Sequence, residues 1–107
     1  MQKPSIDIQF SYKIEAWVSA CCEHIGIHRG LIVGNSYDKK ANEARELIWL
    51  ILQEAGWSYR KIALYFYRSH SAIISGIKYI KDILTYDQDT QKIHEAFKLQ
   101  YQTFFQS

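Results

Sequence analysis

A chain of 107 residues with 48% apolar side chains has material for one folded core, too little for two domains, and too much apolar character for a disordered tail. Its longest apolar run, LIWLIL at 47–52, falls far short of the ~20 residues that cross a bilayer, so no membrane partner is expected. A net charge of +2 selects no partner, and the two cysteines, Cys21 and Cys22, are neighbours whose side chains diverge, which argues against a disulfide scaffold.

In chain order, the opening MQKPSIDIQF lacks the basic start, apolar middle and small-residue cleavage site of a secretion signal, so a cytoplasmic location is expected. Residues 1–11 read as an N-terminal arm to a single domain over 12–107. A first helix is expected from about Tyr12 to His24, burying Trp17, Ala20, Cys21 and Ile25, with Gly26 ending it. A short helical turn follows through HRGLIV, and GNSYDKK at 34–40 reads as an exposed loop. A longer helix from Ala41 to Glu54 offers Ala44, Leu47, Ile48, Ile51 and Leu52 as a wide apolar face, the central beam of the core. Ser58 is placed to cap a compact helix, YRKIALYF, which turns Ile62, Ala63 and Phe66 inward. Ser69 caps the next, from His70 to about Leu84, where Ile73, Ile77, Ile80 and Leu84 recur at spacings of three and four, with Ile74 and Ile83 beside them. A last helix from near Asp87 carries Ile93, Phe97, Tyr101 and Phe104 on one face. The fold class is therefore all-α, a bundle of about five to six helices.

Charge along the chain is uneven. From Ala55 to Lys81 there are five cations (Arg60, Lys61, Arg68, Lys78, Lys81) and no Asp or Glu, the signature of a face that meets phosphates, although a solvated helix surface shares it. In the same segment two consecutive helices are joined by about three residues, which is the spacing of a helix-turn-helix. The stretch YRSHSAIISGIKYI at 67–80 then divides into an apolar half that holds the helix on the core and a polar half with another task. Ser71, Ser75 and Lys78 share the face opposite the isoleucines, and Arg68, Ser69 and His70 precede it. An arginine fork suits guanine or phosphate, hydroxyls and imidazole suit base edges, and the small Ala72 suits a thymine methyl. The alternative is that Ser69 only caps, His70 is a solvated turn residue and the lysines keep the surface soluble.

The segment IALYFYRSHSAIISGIKYIKDIL at 62–84 resembles the C-terminal DNA-binding domain of the bacterial replication initiator DnaA. That family's signature runs from an aromatic through a glycine-containing turn, Arg, Asp, His and two Thr to an aliphatic pair, with a basic residue and Ile later. Arg68, His70, Ile73, Ile74, Lys78 and Ile80 match it, and Ser71 keeps the hydroxyl. Upstream, WVSACCEHIGIHRGLIVG is similar to the family's helix before its basic loop, and AREL at 44–47 begins a helix where the family has one. The similarity spans about Ile14 to Phe105, but only 62–84 is specific.

The resemblance implies a bundle of the Trp-repressor and DnaA-domain type and binding to double-stranded DNA, in replication or its regulation. Arg68, Ser69, His70, Ser71 and Ala72 would meet bases, and Lys39, Lys40, Lys61, Ser75 and Lys78 would meet phosphates. There are departures. Ser69 stands where the family has Asp, Ala72 replaces the second Thr, and Tyr37 aligns with an arginine of the family's basic loop, whose charge Asp38 and Glu43 dilute here. Binding is therefore expected to be looser than that of a full initiator domain. No G-x-x-x-x-G-K-[ST] occurs, so no nucleotide, ATPase or other cofactor is expected. The alternative function is a protein-interaction module that kept the fold and lost specific DNA binding.

Other signals carry less. Cys21, His24 and His28 could align as metal ligands only if the helix ran through Gly26, and no fourth ligand is evident, so no metal is assigned. Neither cysteine has an orienting carboxylate or oxyanion motif beside it, and no enzyme is expected. Tyr65, Tyr67, Tyr79 and Tyr86 cannot all be buried at helical spacing. Aromatics exposed near a basic surface suit stacking on single-stranded bases, and equally a homodimer or protein partner; the last helix, with Phe97, Tyr101, Phe104 and Phe105, is the best candidate for a protein surface unless it is core.

Overall fold

The computed structural model describes residues 8–34 and 38–105. Within them the chain forms six helices and no strand: α1 (Ile8–Ile25), α2 (Arg29–Val33), α3 (Lys39–Glu54), α4 (Tyr59–Phe66), α5 (His70–Leu84) and α6 (Gln88–Phe105). The all-α bundle read from periodicity is the observed architecture. Two boundaries differ. α1 begins at Ile8, inside the stretch assigned to an arm at 1–11. α3 begins at Lys39, because the Asp38 carboxylate accepts from the Ala41 N–H at 2.9 Å and so caps the helix before the lysines. Lys39 and Lys40 therefore lie in the first turn of α3 and not in a loop.

α3 is the beam around which the others assemble, packing against α2, α4, α5 and α6. A helix with neighbours on several sides buries more than one stripe, and the run from Leu47 to Leu52 is buried without a break, Trp49 and Leu50 included. Trp17 joins α1 to α6: its indole N–H donates to the Phe97 carbonyl at 3.0 Å. The Tyr101 ring meets Trp17 edge-on at 4.9 Å, and Phe105 stacks on Tyr101 at 4.4 Å. Phe97 is fully buried, and Tyr101, Phe104 and Phe105 pack half-buried against the core. The aromatic face of α6 is thus core, the simpler of its two readings.

α5 lies on α3 along its isoleucine stripe, with Ile73, Ile77 and Ile80 buried and Ile83 and Leu84 half-buried. Ile74 turns outward, 37% exposed. Gly76 sets how closely the two helices approach. A Cβ there would stand 2.7 Å from Trp49 Cζ3 and 3.1 Å from Glu46 Cγ, so a side chain at this position would push α5 away from the beam.

Candidate nucleic-acid interface

α4 and α5 are joined by Tyr67, Arg68 and Ser69. Both helices start in the same way. Ser58 Oγ accepts from the Lys61 N–H and Ser69 Oγ from the Ala72 N–H, each at 3.1 Å, with the serine backbone extended. α4 ends in the left-handed region: Tyr67 has φ 57° and ψ 49°, and the N–H groups of Tyr67 and Arg68 both point to the Ala63 carbonyl. The turn is therefore fixed by backbone bonds and two capping hydroxyls.

The polar half of the segment surrounds the start of α5. Ser69, His70 and Ser71 are exposed, and Ala72 is half-buried. Ser69 Oγ uses a lone pair on the cap and keeps its proton for donation. The His70 ring stands edge-on to Tyr59, 5.9 Å between centroids, which orients an otherwise open imidazole. Further along, Ser75 and Lys78 are exposed and border a shallow depression with Tyr79, Lys81, Asp82 and Thr85. Ser71, Ser75 and Lys78 thus share one outward row of α5.

Arg68 is tied inward. It is half-buried and donates through Nη2 to the Gly34 carbonyl. That oxygen also accepts from Arg45 Nη2 at 3.1 Å. Arg45, only 5% exposed, further donates to the carbonyls of Ile32 (2.7 Å) and Leu31 and to the Asn42 side chain. Burial, then the nearby Arg68 charge, lowers the Arg45 pKa from its ordinary value. Two guanidiniums thereby hold the end of α2 against α3 and the α4–α5 turn. Arg45 was not singled out from sequence, since the carbonyls it serves lie 11 to 14 residues back in the chain.

The lysines are dispersed. The Lys61 ammonium lies 4.2 Å from the centre of the buried Trp57 ring, near the start of α4. Lys39 pairs with Glu43 at 3.3 Å, and that bond, with the Glu43 charge, raises its pKa. Lys39 and Tyr79 border one depression, which puts this lysine beside the C-terminal half of α5. Lys40 is exposed one residue on. Asn42, Glu43, Glu46 and Tyr79 border the same depression as Lys39. There burial, and then Glu43, push Glu46 up to about 7. Tyr37, aligned with the family's loop arginine, lies outside the described residues.

The other ligand sets separate. His28 Nδ1 accepts from the Gly30 N–H at 2.9 Å as the cap of α2, and the His24 ring stands edge-on to Phe97 at 6.3 Å. Cys21 and Cys22 are both buried, and burial pushes both thiols up, away from the thiolate form. Among the described residues no three His, Cys, Asp or Glu side chains are grouped to hold a metal ion. No helix among them is long and apolar enough to cross a membrane.

The residues that sequence reasoning left out are Tyr59, which orients His70, Trp57, which seats Lys61, and Arg45. No protein-family model, curated protein or solved structure matches the chain.

Proposed function

We propose that the chain is a duplex-DNA-binding module in which α4 and α5 act as a helix-turn-helix. In this reading it is akin to the box-binding domain of the replication initiator DnaA without that protein's ATPase, and it serves replication or its regulation. The observation that carries the reading is the first turn of α5: Ser69, His70 and Ser71 face solvent three residues after α4, while the isoleucines of the same helix are buried. The absence of any Asp or Glu from Ala55 to Lys81 supports it electrostatically. His70 and Ser71 act on base edges, with Ser69 donating from its cap and Ala72 lying against a methyl group. Lys61, Ser75 and Lys78 hold phosphates, and Lys39 and Lys40 add more distant charge. Arg68 reaches a base or a phosphate by giving up its bond to Gly34.

The test is binding of labelled duplexes, one carrying the initiator's recognition box and one scrambled, across a salt series. Tighter binding to the box with a steep salt slope is expected. His70→Ala should reduce the preference for the box. Lys78→Ala should weaken both duplexes alike and flatten the log–log salt slope by about 1. Absence of binding at low salt would refute the reading. A protein-interaction module is the second reading, favoured by the exposure of Leu64 (69%) and Tyr67 (93%) on α4 and at its end. It predicts a stable dimer or partner complex without salt-dependent DNA affinity.

A further inference from the structure

We propose that Tyr67 is a contact residue for the DNA backbone, its phenol hydroxyl donating to a phosphate beside the groove that α5 enters. The proposal rests on the duplex-binding reading above. Among the described residues Tyr67 alone combines a side chain with positive φ. Glycine adopts that conformation without penalty, whereas a Cβ there is crowded by the following carbonyl. The helix terminus meets that strain through backbone bonds and not through the ring, which is 93% exposed, more than any other large apolar or aromatic side chain on the surface described. The turn does not need the ring either: the two N–H bonds to the Ala63 carbonyl form it from backbone alone.

A large side chain held at such a backbone position and used by neither core nor turn is free to serve an external partner. Its position names the chemistry. Tyr67 comes two residues before the cap of α5 and outside its first turn; in the duplex-binding reading that is the flank beside the phosphates bordering the groove. A phenol suits that place, since its O–H donates to an anionic oxygen and its flat ring covers a sugar while immobilising only two side-chain torsions. Such a contact adds affinity and no sequence preference.

Wild type, Tyr67→Gly and Tyr67→Phe are compared for stability by urea unfolding, for association state by sedimentation, and for affinity to the box and scrambled duplexes. Tyr67→Gly is expected to raise the folding equilibrium constant about threefold to tenfold by removing strain, while affinity for both duplexes falls about fivefold or more. Tyr67→Phe keeps ring, strain and turn and removes only the hydroxyl. It is expected to match wild type in stability and to lose most of the same affinity, which separates a phosphate contact from a loosened turn. If wild type binds duplex and both variants bind as tightly, the Tyr67 proposal alone falls. If wild type binds no duplex, the duplex-binding reading falls with it. A loss confined to the box would overturn the backbone contact in favour of base readout. A change of association state with unchanged DNA affinity would overturn it in favour of a protein partner.

Discussion

Replacing Gly76 by alanine tests the packing on which the candidate interface depends. The added methyl would sit 2.7 Å from Trp49 Cζ3, 3.0 Å from Cε3 and 3.1 Å from Glu46 Cγ. Ordinary carbon contacts lie near ~3.5–4.0 Å, so relief needs a movement of almost 1 Å. The Glu46 chain can swing, but the Trp49 ring is 4% exposed and meets Phe66 edge-on, which leaves α5 itself as the part that moves. Overpacking of this kind costs roughly 1–3 kcal/mol. Alanine recovers about 0.8–1 kcal/mol of helix propensity, so the expected net loss is about 0–2 kcal/mol, centred near 1 kcal/mol. At about 4–8 °C per kcal/mol for a domain near this size, the melting temperature should fall by roughly 4–8 °C at that central value. Thermal unfolding by circular dichroism reads this directly. Gly76→Ala more stable than wild type by about 0.8–1 kcal/mol would refute the close α3–α5 approach, because propensity would then act unopposed.

Three further outcomes follow from buried or capping groups. Arg45→Leu leaves the carbonyls of Ile32 and Leu31 short of their donors and should cost about 3 kcal/mol in urea unfolding; a cost below about 1 kcal/mol would contradict the buried network. Ser69→Ala should lose about 1 kcal/mol with the α5 cap, while Ser69→Asp should keep it, as thermal melts of the pair would report. For Glu46 the folded carboxyl titrates at about 7 against an ordinary 4.5. Below 4.5 it is protonated both folded and unfolded and costs nothing. Between 4.5 and about 7 the unfolded chain releases its proton first, so stability falls as pH rises and stays lower above that window. A fully sequestered carboxyl would weigh roughly 3 kcal/mol, and partial exposure reduces this to about 1–2 kcal/mol. Glu46→Gln should therefore raise the melting temperature at pH 8 and leave it unchanged at pH 4; an equal effect at both would exclude titration of this group.

The sequence was most readable where a serine precedes an apolar repeat. Ser58 and Ser69 delimit α4 and α5, and the spacing of Ile62, Ala63 and Phe66, then Ile73, Ile77 and Ile80, names the buried faces. α1 was less readable: it begins at Ile8, four residues before the start that the apolar spacing indicated. Periodicity also understated α3, where Trp49 and Leu50 are buried because α3 has helices on several sides, a property of the assembly and not of its own spacing. At the candidate site, residue types indicated the exposed first turn of α5 but not what holds it. The Arg68 bond to Gly34 joins residues 34 apart, and the left-handed backbone at Tyr67 occurs at a residue type that does not advertise it. Lys39 and Lys61 came together as phosphate contacts through the family resemblance; in the structure Lys39 pairs with Glu43 in the first turn of α3 and Lys61 lies over Trp57 near the start of α4.

The carbonyl of Gly34 accepts from two arginines, and this redundancy bears on how Arg68 can work. A guanidinium that turns toward a phosphate surrenders its bond to that oxygen. With a single donor, the departure would orphan an acceptor inside the protein and subtract from any gain outside. Arg45 stays behind, 3.1 Å away, so the acceptor remains satisfied. For the proposed DNA contact of Arg68, the Gly34 oxygen therefore sets no penalty of its own: a second catch keeps the end of α2 in place.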